Sequence, residues 1–172
     1  YVGMERGRGR YLGSGVAVWG DALHLPFPDG SFDTVLSNQL LEHVREPARL
    51  LQEIGRILTP EGHLILTAPH IWGLHEQPDD YFRFTPYGLQ HLAEEAGLEV
   101  LEVKALAGFW FTAGVRFCHY LARWERGVLR WPVRIPIAFI QLAALAMDRI
   151  HRVETDAWNH LLTARKPSAG TN

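Results

Sequence analysis

The residues best suited to chemistry lie between positions 70 and 84, a stretch with no helical or strand pattern. His70 and His75 titrate near neutral pH, so either could act as a general base that removes a proton from a hydroxyl or an amine. The same two side chains could instead hydrogen-bond within the loop. Because loops of this length without regular structure are often functional, we treat both histidines as candidate catalytic bases.

Large aromatic side chains are interleaved with the charged ones in this loop, a composition typical of a substrate pocket. The residues that we expect to contact a substrate are Trp72, His75, Asp80, Tyr81 and Arg83. A metal site is the alternative use of the loop, with candidate ligands His70, His75, Glu76 and Asp79. The spacing of those ligands matches no recognised zinc pattern, so we predict no metal site in this loop.

Two short apolar runs upstream of the loop each end in a small polar cluster. The first run leads into Asp21 and Ala22, and the second, 34–36, leads into Asn38 and Gln39. Buried parallel strands appear in a sequence as short apolar runs, and ligands bind at their carboxyl ends in open α/β sheets. These four residues are therefore expected to outline one side of a pocket.

Apolar residues at helical spacing predict the elements that position these clusters. One helix is predicted over 44–58, with a turn at 59–62 and a strand at 63–68 after it. Strand, helix and strand in this order form a right-handed parallel unit, so the strand ends share one edge of the sheet. A second helix is predicted after Thr85 as its cap, and a strand follows at 98–105.

The segment 108–153 is unusually aromatic and basic. It predicts a helix, followed by a second helix that begins after Pro132 and Pro136. The apolar run of the second helix is too short to span a bilayer. Seven arginines and two acids give positions 116–152 a charge of +5, against −7 for the rest of the chain. The segment is interpreted as a helical hairpin that covers the sheet or a homodimer partner, or as a peripheral membrane contact.

Bulk properties limit the remaining classes of function. A chain of 172 residues is expected to form one domain, with a disordered tail at 167–172. The net charge of −2 argues against a dedicated nucleic-acid-binding protein. The single cysteine, Cys118, excludes an intramolecular disulfide and fits a reducing compartment, so a cytoplasmic location is expected, at the membrane surface if the helical segment contacts lipid.

Several short motifs resemble the class I S-adenosylmethionine-dependent methyltransferases that act on small molecules and cell-surface intermediates. The matching residues are Asp21-Ala22, Leu25-Pro26-Phe27, Asp29-Gly30-Ser31-Phe32-Asp33, Leu41-Glu42-His43-Val44 and the segment 78–85. The resemblance covers roughly residues 1–104 and the last strand, at 158–166. It implies an α/β, Rossmann-like fold with a mostly parallel twisted sheet, an antiparallel last strand and 108–153 as a helical insert.

The same resemblance implies roles for the polar clusters. Glu5, at the end of the first strand here, would bind both ribose hydroxyls of S-adenosylmethionine. Asp21 and Ala22 would face its adenine, and Asn38 and Gln39 would lie beside its methionyl part. The family's Gly-rich cofactor loop precedes the element with which this sequence begins, so the sequence resembles a member without its first strand and helix. Weak or no cofactor binding by these residues alone is therefore expected.

The function implied is methyl transfer from S-adenosylmethionine to a small molecule or to a cell-envelope glycan or lipid intermediate. The donor is already activated, so positioning and exclusion of water suffice and no nucleophilic Ser or Cys is required. The alternative is a non-catalytic protein of the same fold that acts as a partner or scaffold. A different nucleotide-binding enzyme is disfavoured, because the glycines at 7–15 lack the dinucleotide spacing.

Overall fold

The computed structural model describes residues 1–5, 16–127 and 130–168. The six strands of these ranges are β1 (Gly3–Glu5), β2 (Val16–Trp19), β3 (Phe32–Asn38), β4 (Leu58–Pro69), β5 (Glu99–Ala105) and β6 (Asn159–Arg165). The four α-helices are α1 (Pro47–Ile57), α2 (Pro86–Glu95), α3 (Phe109–Leu121) and α4 (Arg130–Ile150). The glycines at 7–15 and most of the expected tail, 169–172, lie outside the described residues.

Four strands form a mixed sheet in the order β3-β4-β6-β5. β3 and β4 are parallel, whereas β6 pairs antiparallel with both β4 and β5. The antiparallel last strand predicted between its two predecessors is therefore confirmed. β1 and β2 form a separate, parallel two-stranded sheet.

Helix α1 begins later than the prediction of 44–58, because Pro47 fixes its start. Proline suits the first helical position and disfavours helical angles in the residue before it, and Glu46 has φ −124° and ψ 73°. Residues 41–43 form a separate short 3-10 turn. The predicted apolar face is confirmed, since Leu50, Leu51 and Ile54 are buried against the sheet.

Strand β4 begins at residue 58 and includes the predicted turn 59–62. Its register against β3 changes there, from Phe32 opposite Leu58 to Thr34 opposite His63. Glu61 takes the left-handed φ of 64° and donates its N–H to the carbonyl of Lys166 at 2.9 Å. The turn residues thus form an irregular section inside a longer strand, so the prediction of a separate turn is wrong.

Helix α2 follows its sequence signals closely. The side chain of Thr85 accepts a hydrogen bond from the N–H of Gly88 at 3.0 Å, and Pro86 occupies the first position. Leu89 and Ala93 are buried, and Gly97 ends the helix with a φ of 77°.

Helices α3 and α4 form an antiparallel hairpin whose axes come closest at Gly114. A Cβ atom added there would lie 2.5 Å from the Cβ of Ala144. Pro132 and Pro136 lie within α4, not before it, so that prediction is wrong. Pro132 lies in the first turn, where no N–H is needed, and the helix continues past Pro136 with one backbone hydrogen bond fewer. Within the described ranges, no helix is both long enough and apolar enough to cross a membrane.

One end of this hairpin is fastened to the sheet. Asp148 of α4 accepts the N–H groups of Gly108 at 2.9 Å and Phe111 at 3.3 Å, and Arg152 donates to the carbonyl of Ala105 at 2.6 Å. The rest of the hairpin exposes large apolar side chains, which include Phe117, Trp124, Trp131, Ile135, Phe139, Leu142 and Ile150. The hairpin is therefore anchored at its base, beside the end of β5, and leaves a broad apolar face exposed.

Candidate functional site

The carboxyl ends of β1 and β2 place the predicted nucleotide-side residues at one edge. Glu5 is the last paired residue of β1, opposite Trp19, and Asp21 follows the end of β2 by two residues. The Oδ1 of Asp21 accepts the N–H of Leu23 at 3.0 Å, which fixes a tight turn, and Ala22 packs against the core. Two carboxylates at one strand edge fit a ligand that carries hydroxyl donors.

A charged pair on α1 holds the segment that follows this turn. Arg56 donates to the carbonyls of Leu25 at 2.9 Å and Phe27 at 2.8 Å, and Glu53 accepts the N–H of Leu25 at 2.8 Å. Arg56 also forms two hydrogen bonds to the Glu53 carboxylate, and the guanidinium holds the pKa of Glu53 below its ordinary value. Sequence analysis did not identify this pair, whose partners are separated by a turn and a strand.

Asn38 and Gln39 are held together by Thr67 of the neighbouring strand. The Thr67 hydroxyl donates to Asn38 Oδ1 at 2.6 Å and accepts from Gln39 Nε2 at 3.1 Å. Gln39 has a φ of 50°, an uncommon angle for a residue other than glycine, and its N–H bonds to the Thr67 carbonyl at 3.1 Å. The chain is thereby turned sharply at the end of β3, as a ligand-facing strand end requires.

The loop 70–84 is organised around an internal ion pair. Arg83 makes two hydrogen bonds to the Asp80 carboxylate, at 2.6 and 2.8 Å, and donates to the carbonyls of Trp72 and Gly73. The Asp80 side chain is 1% exposed, and Arg83 holds its pKa well below the ordinary range. In this structure the pair shapes the loop, and direct substrate contact by either residue stays a prediction.

The two histidines proposed as bases lie in different surroundings. The ring of His70 is 5.2 Å from that of His160, a buried residue of β6 whose pKa is lowered by burial. The ring of His75 is 4.8 Å from that of His43 and lies beside Asp80. The structure therefore places the two candidate bases apart. It groups His75 with Glu42 and His43, and not with the other loop residues considered above as metal ligands.

Tyr81 and Trp72 anchor opposite ends of the loop. The Tyr81 hydroxyl donates to Asp79 Oδ1 at 2.7 Å and accepts from Arg45 at 2.9 Å. Trp72 stacks on Trp158 with ring centroids 4.8 Å apart, and Phe111 lies 5.4 Å away on Trp158. The aromatic side chains thus join the loop to β6 and α3.

A cavity of about 790 Å³, wide open to solvent, lies between the ends of β5 and β6 and the base of the α3–α4 hairpin. It opens on the same sheet edge as the loop, since Asn159 at its floor is paired with Pro69. Its lining combines Phe111, Leu145, Trp158 and other apolar groups with Lys104, Asp148, Arg149 and Arg152. Mainly apolar walls with a few charged groups are typical of a small-molecule site. The helices were predicted from the sequence, but no local pattern indicated that they meet at this edge of the sheet.

Comparison with known proteins gives a consistent answer. Residues 4–66 match the family model described as a methyltransferase domain. The demethylmenaquinone methyltransferase of Listeria monocytogenes is 35% identical over 134 residues, which cover 70% of this chain and 56% of the relative. The corresponding enzyme of Geobacillus kaustophilus is 34% identical over 86 residues, 48% of this chain and 37% of the relative.

Among solved structures, the cyclase SpnF superposes with a TM-score of 0.59 at 26% identity, over 90% of this chain and 58% of SpnF. The chain thus spans about half the length of the curated relatives that it matches. The sequence motifs resemble class I methyltransferases, and the strand order, the polar strand ends and the family match agree with that resemblance. The chain belongs to the class I S-adenosylmethionine-dependent methyltransferases.

Proposed function

We propose that the full-length protein transfers a methyl group from S-adenosylmethionine to a small molecule with a largely apolar ring. The observation that carries this proposal is the cavity beside the loop 70–84, walled by Phe111 and Trp158. Two similar proteins are named demethylmenaquinone methyltransferases, so a menaquinone-type ring is the first acceptor to test. A cell-envelope lipid intermediate is the second, and a glycan would find fewer polar partners in these walls.

In this proposal the residues of the chain divide between two tasks. Glu5, Asp21 and Ala22 hold the nucleoside of S-adenosylmethionine, and Asn38 and Gln39 hold its amino-acid side. When bound, S-adenosylmethionine supplies a methyl group already activated by the sulfonium charge.

The remaining task is to orient the acceptor and remove its proton. His75 is the stronger candidate base, because its side chain is 29% exposed, whereas His70 packs on a buried histidine.

Cofactor binding tests the proposal directly. We expect the full-length protein to bind S-adenosylmethionine, and Glu5→Gln to weaken binding about tenfold, because a carboxylate accepting hydroxyl hydrogen bonds is replaced by a neutral amide. Titration calorimetry measures both. Glu102→Gln, at an exposed position on β5, is the matched control and should bind as the parent does.

Transfer of a labelled methyl group to a demethylmenaquinone with a short side chain, supplied in its reduced quinol form so that the ring is nucleophilic, then tests the reaction. A full-length protein that does not bind S-adenosylmethionine contradicts the enzyme proposal. Binding without transfer to ring, lipid or glycan acceptors would favour the alternative of a non-catalytic partner or scaffold. The similarity to SpnF supports testing for a function other than methyl transfer, because a protein named as a cyclase shares this fold.

We also propose that the exposed face of the α3–α4 hairpin contacts an anionic lipid surface on the cytoplasmic side of a membrane. Trp124, Trp131 and Phe139 are exposed on it, and Arg116, Arg126 and Arg149 have no acidic partner among the described residues. Aromatic groups with arginines suit the interface between lipid headgroups and acyl chains. The cavity lies at the base of the same hairpin, where an acceptor carrying a lipid chain could enter.

Vesicle sedimentation measures this contact. The full-length protein should pellet with vesicles rich in phosphatidylglycerol and not with phosphatidylcholine alone, and salt should weaken the binding. Trp131→Ser combined with Arg126→Gln should reduce the pelleted fraction severalfold, whereas Tyr87→Ser on the exposed side of α2 should not. A protein that never pellets, and sediments as a dimer that Trp131→Ser dissociates, would assign the face to a second copy.

A further inference from the structure

The carboxylate of Glu42 is completely buried beneath the loop 70–84. Its side chain is 0% exposed, and neither oxygen has a hydrogen-bond partner among the described residues. A buried carboxylate without partners is costly, so such a group is retained where something else binds it. The proposed methyl transfer gives Glu42 no task.

Two histidine rings lie against this carboxylate. The Nε2 of His43 is 3.8 Å from Glu42 Oε1, and the ring of His75 is 4.8 Å from that of His43. One ligand atom from each of these three side chains lies within 4.8 Å of the other two. The arrangement joins the turn at 41–43 to the loop, although the residues are more than 30 positions apart in sequence.

The second nitrogen of each ring already faces an oxygen. His43 Nδ1 lies 2.6 Å from the carbonyl of Asp79, and His75 Nδ1 lies 3.4 Å from Asp80 Oδ2. Histidines that bind metals usually donate their other ring N–H to a carbonyl or a carboxylate, which fixes the tautomer and the ring orientation. Nε2 is then the nitrogen left on each ring to bind a ligand.

We propose that Glu42, His43 and His75 bind one divalent transition-metal ion of the zinc type. Two imidazoles and one carboxylate suit zinc, whereas magnesium and calcium prefer oxygen ligands alone. Bonds of about 2.0–2.2 Å require the three ligands to move closer together, and His75, on the loop and 29% exposed, has room to do so. Burial raises the pKa of Glu42, so a proton is the competing occupant of the carboxylate.

Three protein ligands leave a fourth position open on a zinc ion, as in catalytic zinc sites. This role rests on the proposed function with an acceptor that carries a hydroxyl, and it replaces His75 as the base: the ion would hold the acceptor hydroxyl and favour loss of its proton to solvent. The acceptor oxygen then bonds to the methyl carbon, and the electron pair of the broken carbon–sulfur bond stays on sulfur.

Metal binding is measured without cofactor or acceptor, so its outcome is independent of methyl transfer. The full-length protein is treated with a chelator, dialysed and titrated with Zn²⁺ in a calorimeter, and Co²⁺ provides an absorption spectrum sensitive to its ligands. We expect one ion per chain. Glu42→Gln and His75→Gln should each weaken binding at least tenfold and change the Co²⁺ bands.

The matched control is His91→Gln, because His91 is an exposed histidine on α2, away from the cluster. It should leave affinity and spectrum unchanged. Circular dichroism establishes whether each variant is folded. If Glu42→Gln does not fold, His75→Gln provides the test of metal binding. Absence of binding by the parent protein overturns the proposal. Equal affinity in the parent, Glu42→Gln and His75→Gln marks adventitious surface binding and overturns it as well.

Discussion

At the scale of single residues, the side chains that shape the site are charged groups bonded to backbone carbonyls. Arg56 holds the carbonyls of Leu25 and Phe27, and Arg83 holds those of Trp72 and Gly73. A guanidinium has five donors in a fixed plane, so it can bind a carboxylate and two carbonyls together. Arg83 thereby fixes the segment that carries Trp72, a candidate substrate residue, and Arg56 fixes the segment that follows Asp21 and Ala22.

The pair on α1 makes a prediction for stability and its pH dependence. Replacing Glu53 by Gln should lower the free energy of unfolding at pH 7 by about 1–2 kcal/mol, because charged hydrogen bonds to Arg56 and Leu25 are lost. The pKa of Glu53 is lowered in the folded state, so its contribution is present above the unfolded value near 4.5 and is lost as pH falls through the folded value.

Urea unfolding at pH 7 and pH 4 measures both effects for Glu53→Gln. The difference between parent and variant should be large at pH 7 and smaller at pH 4. Glu94→Gln, on the exposed side of α2, should change the unfolding free energy by less than about 0.5 kcal/mol at either pH. An equal difference at both pH values would contradict a role for the Glu53 charge.

Residue types in the site could be predicted from the sequence, but their partners could not. His70 and His75 are equivalent in sequence, and only the fold places one beside the buried His160 and the other beside Glu42. Glu42 belongs to a recognisable motif, yet its burial depends on the loop that folds over it from residues 79–82. Long-range burial has no local signal, which is why this carboxylate received no role from the sequence.

At the scale of elements, prediction succeeded where the determinants are local. The cap at Thr85, the proline after it and Gly97 define α2 within a dozen residues. Prediction failed where a neighbouring element decides the outcome. The irregular section of β4 depends on pairing with β3, and α4 extends through Pro136 although proline disfavours a helix interior.

The hairpin crossing gives a prediction at this scale. Gly114→Ala should destabilise the protein by about 1 kcal/mol, although the change from glycine to alanine favours an isolated helix by a similar amount. The reason is the 2.5 Å approach of the new Cβ to that of Ala144. Adding Ala144→Gly should relieve the overlap, and thermal unfolding of the single and double variants measures it. A stabilised single variant would show that the helices do not cross this closely.

At the scale of the whole molecule, two surfaces of opposite character lie in one chain. The body carries the acidic excess and the strand ends proposed to bind the cofactor, whereas the hairpin carries the basic excess and the exposed aromatic groups. The cavity lies where the two meet. The proposed acceptor site and the proposed lipid-binding face are thus adjacent. The vesicle experiment tests the hairpin, and the cofactor experiment tests the strand ends of the body.

The position of β6 has a consequence for synthesis of the chain. Among the strands that the structure describes, β5 pairs with β6 and not with β4, so it gains this partner only when β6 has been made. The 60 positions from Ala105 to Arg165 are translated in about 3–12 s at ~5–20 residues per second. During that interval the nascent chain carries an unpaired strand edge and the aromatic hairpin together, which is when a chaperone would be of most use to it.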